Sequence, residues 1–170
     1  MHRWMERTLI AALAVAALAV ASPVVARGDV MVTLTADLII PKGDGREAAT
    51  SAATAKPGDV VEYRATYKNL DDAAVRKLDA TLPIPVGMEY LARSASPAPA
   101  LASVDGHEFA PLPLRRRVRL ADGREVTQEV PTSEYRFLRW AIGTLAAHDS
   151  RTVRARARVS SGPVSALVQH

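Results

Sequence analysis

Cysteine is absent from this chain of 170 residues. That excludes disulfide staples, thiolate metal sites, thiol nucleophiles and a lipid-modified N-terminal cysteine. Histidine is scarce: there are 4, and one is His2. Aromatic side chains make up only 5% of the chain. Only one long apolar run exists, and it lies at the start. Apolar residues at 48% and charged residues at 24% are ordinary for a globular protein. The length suits one domain plus an export signal.

The run is Leu9 to Ala21, thirteen residues of Ala, Leu, Ile and Val behind a start carrying Arg3 and Arg7. It is shorter than the roughly 20 residues a spanning helix needs. Small residues follow, so residues 1–26 read as a secretory signal peptide. Val24 and Ala26 favour cleavage after Ala26; Ala19 and Ala21 offer an earlier site, and a retained anchor is the rival reading. No later segment is long enough to span a membrane. The chain is therefore expected to be secreted or periplasmic.

The mature charges are unevenly spread. Residues 29–110 hold 8 basic and 12 acidic groups, whereas residues 111–170 hold 11 arginines and 5 acids.

Strand signals dominate. Val30, Val32, Leu34, Ala36 and Leu38 alternate with polar partners, and Pro41 ends the run. Residues 42–55 read as a surface loop, closing an N-terminal strand-and-loop unit over 27–55. Pro57 and Gly58 make a turn. Val61, Tyr63, Ala65 and Tyr67 then alternate with charged and polar residues. Leu78, Ala80 and Leu82 form the next alternating run, and Met88 to Ala92 another. Residues 94–114 carry four prolines and read as loop or edge. Arg115 to Leu120 and Glu125 to Val130 flank Asp122-Gly123, a hairpin signal. Leu138, Trp140 and Ile142 alternate again, as do Val153, Ala155, Ala157 and Val159. A tail follows over 161–170.

The count is seven to nine strands with no convincing helix. That predicts an all-β sandwich with its body over 56–160. Its expected core is light, with Tyr63, Tyr67, Leu82, Trp140 and Val153 among its members.

Four stretches resemble a known family. Lys56 to Asn69 (KPGDVVEYRATYKN), Leu82 to Leu91 (LPIPVGMEYL), Tyr135 to Leu145 (YRFLRWAIGTL) and the alternating run Thr152 to Val159 are similar to the bacterial DUF-eleven, or conserved repeat, domains. The likeness spans about residues 30–160 and implies a single immunoglobulin-like sandwich in the cell envelope or outside the cell. It implies no catalytic residues.

The residues themselves offer little chemistry. His107, His148 and His170 fall in expected loops or the tail, and no Gly-x-Ser-x-Gly elbow occurs. His148-Asp149-Ser150 and Ser133-Glu134 are chance-like neighbours. Asn69 with Asp71 and Asp72, or Asp44 near Glu47, could offer oxygens to calcium, but both fit turn chemistry better. The reading is therefore a non-enzyme with no cofactor and no metal.

Arginine is the notable signal. Arg154, Arg156 and Arg158 share one strand face and span roughly 13 Å. Arg115 and Arg117 would add to that field if their hairpin packed nearby. Such a row suits phosphates or carboxylates of an anionic polysaccharide. The plainer reading pairs it with acids such as Glu62 or Asp79. Nucleic acid is not expected, because no aromatics interleave with the basic run. The remaining option is assembly with an envelope protein or a second copy through strand edges, with residues 30–40 as a candidate donor.

Overall fold

The structure, a computed structural model, describes residues 24–26 and 30–161. The export signal read over 1–26 lies outside these apart from residues 24–26, and so does the tail beyond residue 161.

Twelve strand segments follow one another: β1 (Val24–Ala26), β2 (Val30–Pro41), β3 (Glu47–Ser51), β4 (Val60–Asn69), β5 (Val75–Pro83), β6 (Met88–Tyr90), β7 (Leu101–Ser103), β8 (Ala110–Pro111), β9 (Arg115–Arg119), β10 (Glu125–Glu129), β11 (Phe137–Leu145) and β12 (Ser150–Val159). Among the described residues the only helical pieces are two single 3-10 turns, Ala52–Thr54 and Thr132–Glu134. The protein is all-β and antiparallel throughout.

The first sheet runs β1-β2-β4-β12-β6, with β3 beside the far end of β2. The second runs β5-β11-β7-β8, and β9-β10 form a hairpin sheet of their own. The alternation in the sequence explains the layering. Every second side chain of β4 and β12 points inward, so Val61, Ala65, Tyr67, Val153, Ala155 and Ala157 are buried. The second sheet answers with Ala80, Leu82, Ala102, Leu138 and Trp140, all buried. These residues form one cluster. Small faces large across the ladder: Ala155 lies opposite Tyr63 and Ala65 opposite Val153. Tyr63 itself is only half-buried.

Tyr67 ties the two sheets together. Its hydroxyl donates to the Thr81 carbonyl at 3.0 Å and accepts from the Thr81 amide at 2.9 Å. Asn69, fully buried, closes one end. Its amide nitrogen donates to the carbonyls of Ala73, Leu145 and Ala146 at 2.8, 3.2 and 3.0 Å. One side chain thus joins the turn after β4 to the end of β11.

Three expectations need correction. Residues 42–55 are not all loop. A tight turn, with the Lys42 amide on the Arg46 carbonyl at 2.8 Å, leads into β3, which pairs residue by residue with Asp37–Pro41. The Ala and Thr of β3 carry a weak local signal; the strand exists because β2 offers it an edge. Residues 94–114 contain β7 and β8. Ala102, at 0% exposure, is drawn in by pairing with Leu138. Finally, the strand count exceeds nine, because seven of the twelve segments have five residues or fewer.

Pro57-Gly58 forms the expected turn. The Asp59 amide reaches the Lys56 carbonyl at 3.0 Å, and Gly58 has φ +94°. Gly123 has φ +86° at the hairpin tip. Among the described residues no helix is long and apolar enough to cross a membrane.

Candidate functional site

The outer face of the first sheet is ordered by register. Across β2, β4 and β12, Thr33, Thr66 and Thr152 form one row; Thr35, Arg64 and Arg154 the next; Asp37, Glu62 and Arg156 the third. Arg154, Arg156 and Arg158 therefore share this face, but they are not equivalent.

Arg156 is engaged. Its Nε donates to Glu62 at 3.0 Å, and its two terminal nitrogens grip Glu47 of β3 at 2.8 and 2.6 Å. Glu62 is only 4% exposed and also accepts from Arg64 at 2.6 Å. Arg64 in turn reaches Asp37 at 3.3 Å. Burial alone would raise the Glu62 carboxyl. The guanidiniums of Arg156 and Arg64 outweigh it and hold the group below its ordinary value. Hydrogen bonds from Arg156 lower Glu47 as well, and Arg156 itself is raised. Three carboxylates and two guanidiniums are thus paired within one network, with one negative charge in excess. This network resembles a clamp holding β3 onto the sheet more than a polyanion cradle.

Arg154 differs. It stands directly opposite Arg64, a like-charge pair across the ladder. Among the described residues no carboxylate lies within ion-pair distance of Arg154 or Arg158.

Arg115 and Arg117 do not join this face. Their hairpin roots beside Tyr135, whose hydroxyl accepts from the Leu114 amide at 2.8 Å, and Arg116 forks onto Glu134 at 2.7 and 3.1 Å. Within the hairpin, Arg115 stands opposite Glu129 and Arg119 opposite Glu125. Both hairpin faces are largely exposed.

The remaining sequence candidates are tied up in turns. The His148 imidazole sits 2.9 Å from Asp72, while the Ser150 amide caps Asp149. The His107 amide donates to Asp105 at 2.8 Å. Asn69, Asp44 and Glu47 each spend their polar atoms on protein partners. Among the described residues no group of three His, Cys, Asp or Glu gathers as a metal site would require.

Two openings exist. A cleft of about 540 Å³ lies between the β7–β8 loop and the hairpin, with Phe109 and Val130 among its walls. Arg139 caps the Phe109 ring at 3.5 Å. The second, about 250 Å³, lies at the seam between the sheets, lined by Pro97, Pro99, Trp140, Ile142 and Val153. The chain crosses from one sheet to the other here: Ser96 bridges to Arg154, and β7 pairs with the start of β11. Trp140 donates its indole N–H to the Pro97 carbonyl at 2.7 Å. Beyond this crossing the seam is not covered by any described strand.

The signal for this seam was absent from local pattern. Alternation marks strands, not which edges stay open. Comparison with known proteins adds no relative: no family model matches the chain, and neither does any curated protein or solved structure.

Proposed function

We propose that this chain is an exported, non-catalytic β-sandwich module with a structural, adhesive or assembly role in the bacterial cell envelope or outside the cell. The resemblance to the conserved repeat domains supports an immunoglobulin-like topology and that location. The observation carrying the reading is the contrast between side chains and backbone. The charged side chains beside Glu62 are consumed in internal pairs, whereas backbone edges at the seam and on the hairpin stay open. Chemistry needs uncommitted side chains; assembly needs uncommitted edges.

The test is to express the full chain, fractionate the cells and weigh the product. A mature form beginning at Arg27, recovered from the periplasm or medium, supports export. An intact chain retained in the cytoplasm overturns it.

A second reading is favoured by one observation, the exposed Arg154 and Arg158, which have no carboxylate partner among the described residues. It is binding of an anionic envelope polysaccharide. Retention on dextran sulfate that falls steeply with salt and is lost in an Arg154→Ser, Arg158→Ser variant supports it. Retention unchanged in that variant rejects it.

A further inference from the structure

The β12 edge at the seam has a definite hydrogen-bonding pattern. Arg154 exchanges both backbone bonds with Ser96, each at 2.8 Å, on the side away from β4. In an antiparallel ladder such pairs recur every second residue. Thr152 and Ser150 therefore aim the same way, where no described strand pairs with them. Thr152 is open, whereas the Ser150 amide bonds the Asp149 carboxylate at 2.8 Å and its carbonyl accepts from Arg151 at 3.1 Å.

The outer edge of β10 has the same pattern. The Leu120 amide bonds the Arg124 carbonyl at 2.8 Å, and the Val130 amide bonds the Leu114 carbonyl at 2.9 Å. The even residues of β10 thus face β9, and Glu125, Thr127 and Glu129 aim outward. A two-stranded hairpin exposed on both faces is marginal alone.

The geometry points to one interface: β10 of one copy adds to the β12 edge of a second copy. This rests on the assembly reading. In antiparallel register, Glu125 lies opposite Thr152, giving one bonded pair before Ser96 blocks the edge. Thr127 lies opposite Ser150, whose amide and carbonyl exchange their local partners Asp149 and Arg151 for a second. Glu125 then falls on the face of Arg154, diagonal to it and within reach of a long side chain. It supplies the carboxylate that Arg154, set against Arg64, does not find among the described residues of its own chain. Val126 falls on the inner face opposite Arg151 and diagonal to Val153, both of which line the cavity at Trp140; Arg124 falls opposite Val153 itself.

The same chain cannot satisfy itself. Its hairpin is about 17 Å long and rooted at Leu114 and Val130, whose neighbour Thr132 bonds Glu89 of β6. From that end of β12 to Thr152 is about 23 Å of strand. Donor and acceptor lie at different places on the molecule, so the contact is head-to-tail and does not close as a simple dimer.

Sedimentation of the protein, purified from cells expressing the full chain, tests this. The average mass should rise beyond that of a dimer as concentration approaches about 1 mM. Thr127→Pro removes a donor from the β10 edge, and Thr152→Pro one from the seam; neither amide is used in its own ladder. Each variant alone should stay monomeric, and an equimolar mixture should form 1:1 dimers and nothing larger. Glu125→Arg should also abolish association, and adding Arg154→Glu in the same chain should restore it, which covers the case of a proline variant that fails to fold. Association persisting in every single variant overturns this interface while sparing the assembly reading. A wild-type chain that remains monomeric overturns the interface and weakens that reading.

Discussion

Glu62 and Arg156 stand opposite each other on β4 and β12, joined by a 3.0 Å hydrogen bond between a nearly buried carboxylate and a guanidinium that also grips β3. Removing the carboxylate leaves Arg64 and Arg156 side by side with no anion between them. Glu62→Ala should therefore cost about 2 kcal/mol, the scale of a hydrogen bond to a charged group. Urea unfolding measures it. A loss under about 0.5 kcal/mol would mean the network is only a surface arrangement.

Acid should act through the same pair. The folded carboxyl of Glu62 is held below its unfolded value, about 4.3. Its contribution is present above that value and is lost as pH falls through the folded one. Stability should be level from pH 7 to about pH 5 and fall below about pH 4. In Glu62→Gln the fall should be shallower. Equal slopes in both proteins would locate the acid sensitivity elsewhere.

Asn69 is a sharper probe of the closed end. Its amide nitrogen meets three carbonyl oxygens, and its own oxygen accepts from the Asp71 amide at 3.0 Å. Asn69→Asp would set a carboxylate against those carbonyls with nothing to donate. The expected cost is about 3 kcal/mol or more, seen as a lower melting temperature. Wild-type melting would contradict the described bonds.

Trp140→Ala tests the seam. The ring is 3% exposed and bonds Pro97. Losing it should cost about 3–5 kcal/mol and speed proteolysis at residues 94–100. A variant as stable as the parent would place the ring outside the core.

Gly58→Val should destabilise by about 1–2 kcal/mol, because a β-branched residue resists positive φ. Gly58→Asn should cost much less, since asparagine tolerates that region. Equal effects of the two would argue that the backbone strain is not what matters.

The long strands were legible because each buries one face. Tyr67, Leu82, Leu138 and Val153 repeat at two-residue spacing, and the sheets follow that period. The short strands were not. β3, β7 and β8 have weak local preference and owe their form to the edge beside them. Tyr135, 1% exposed and stacked on Tyr90 at 5.8 Å, escaped notice because it sits outside any alternating run. The candidate site was half readable. Spacing placed three arginines on one face, but only register could show that Arg156 belongs to Glu62 and Glu47 while Arg154 meets Arg64.

The order of β2, β4 and β12 has a mechanical consequence. Both outer strands run antiparallel to β4, so they run parallel to each other, with Val30 beside Asn69 and Arg158 beside Val60. Tension applied between Val30 and Val159 therefore pulls toward opposite ends of the central strand. The two ladders are loaded in shear, every rung at once, instead of being unzipped one rung at a time.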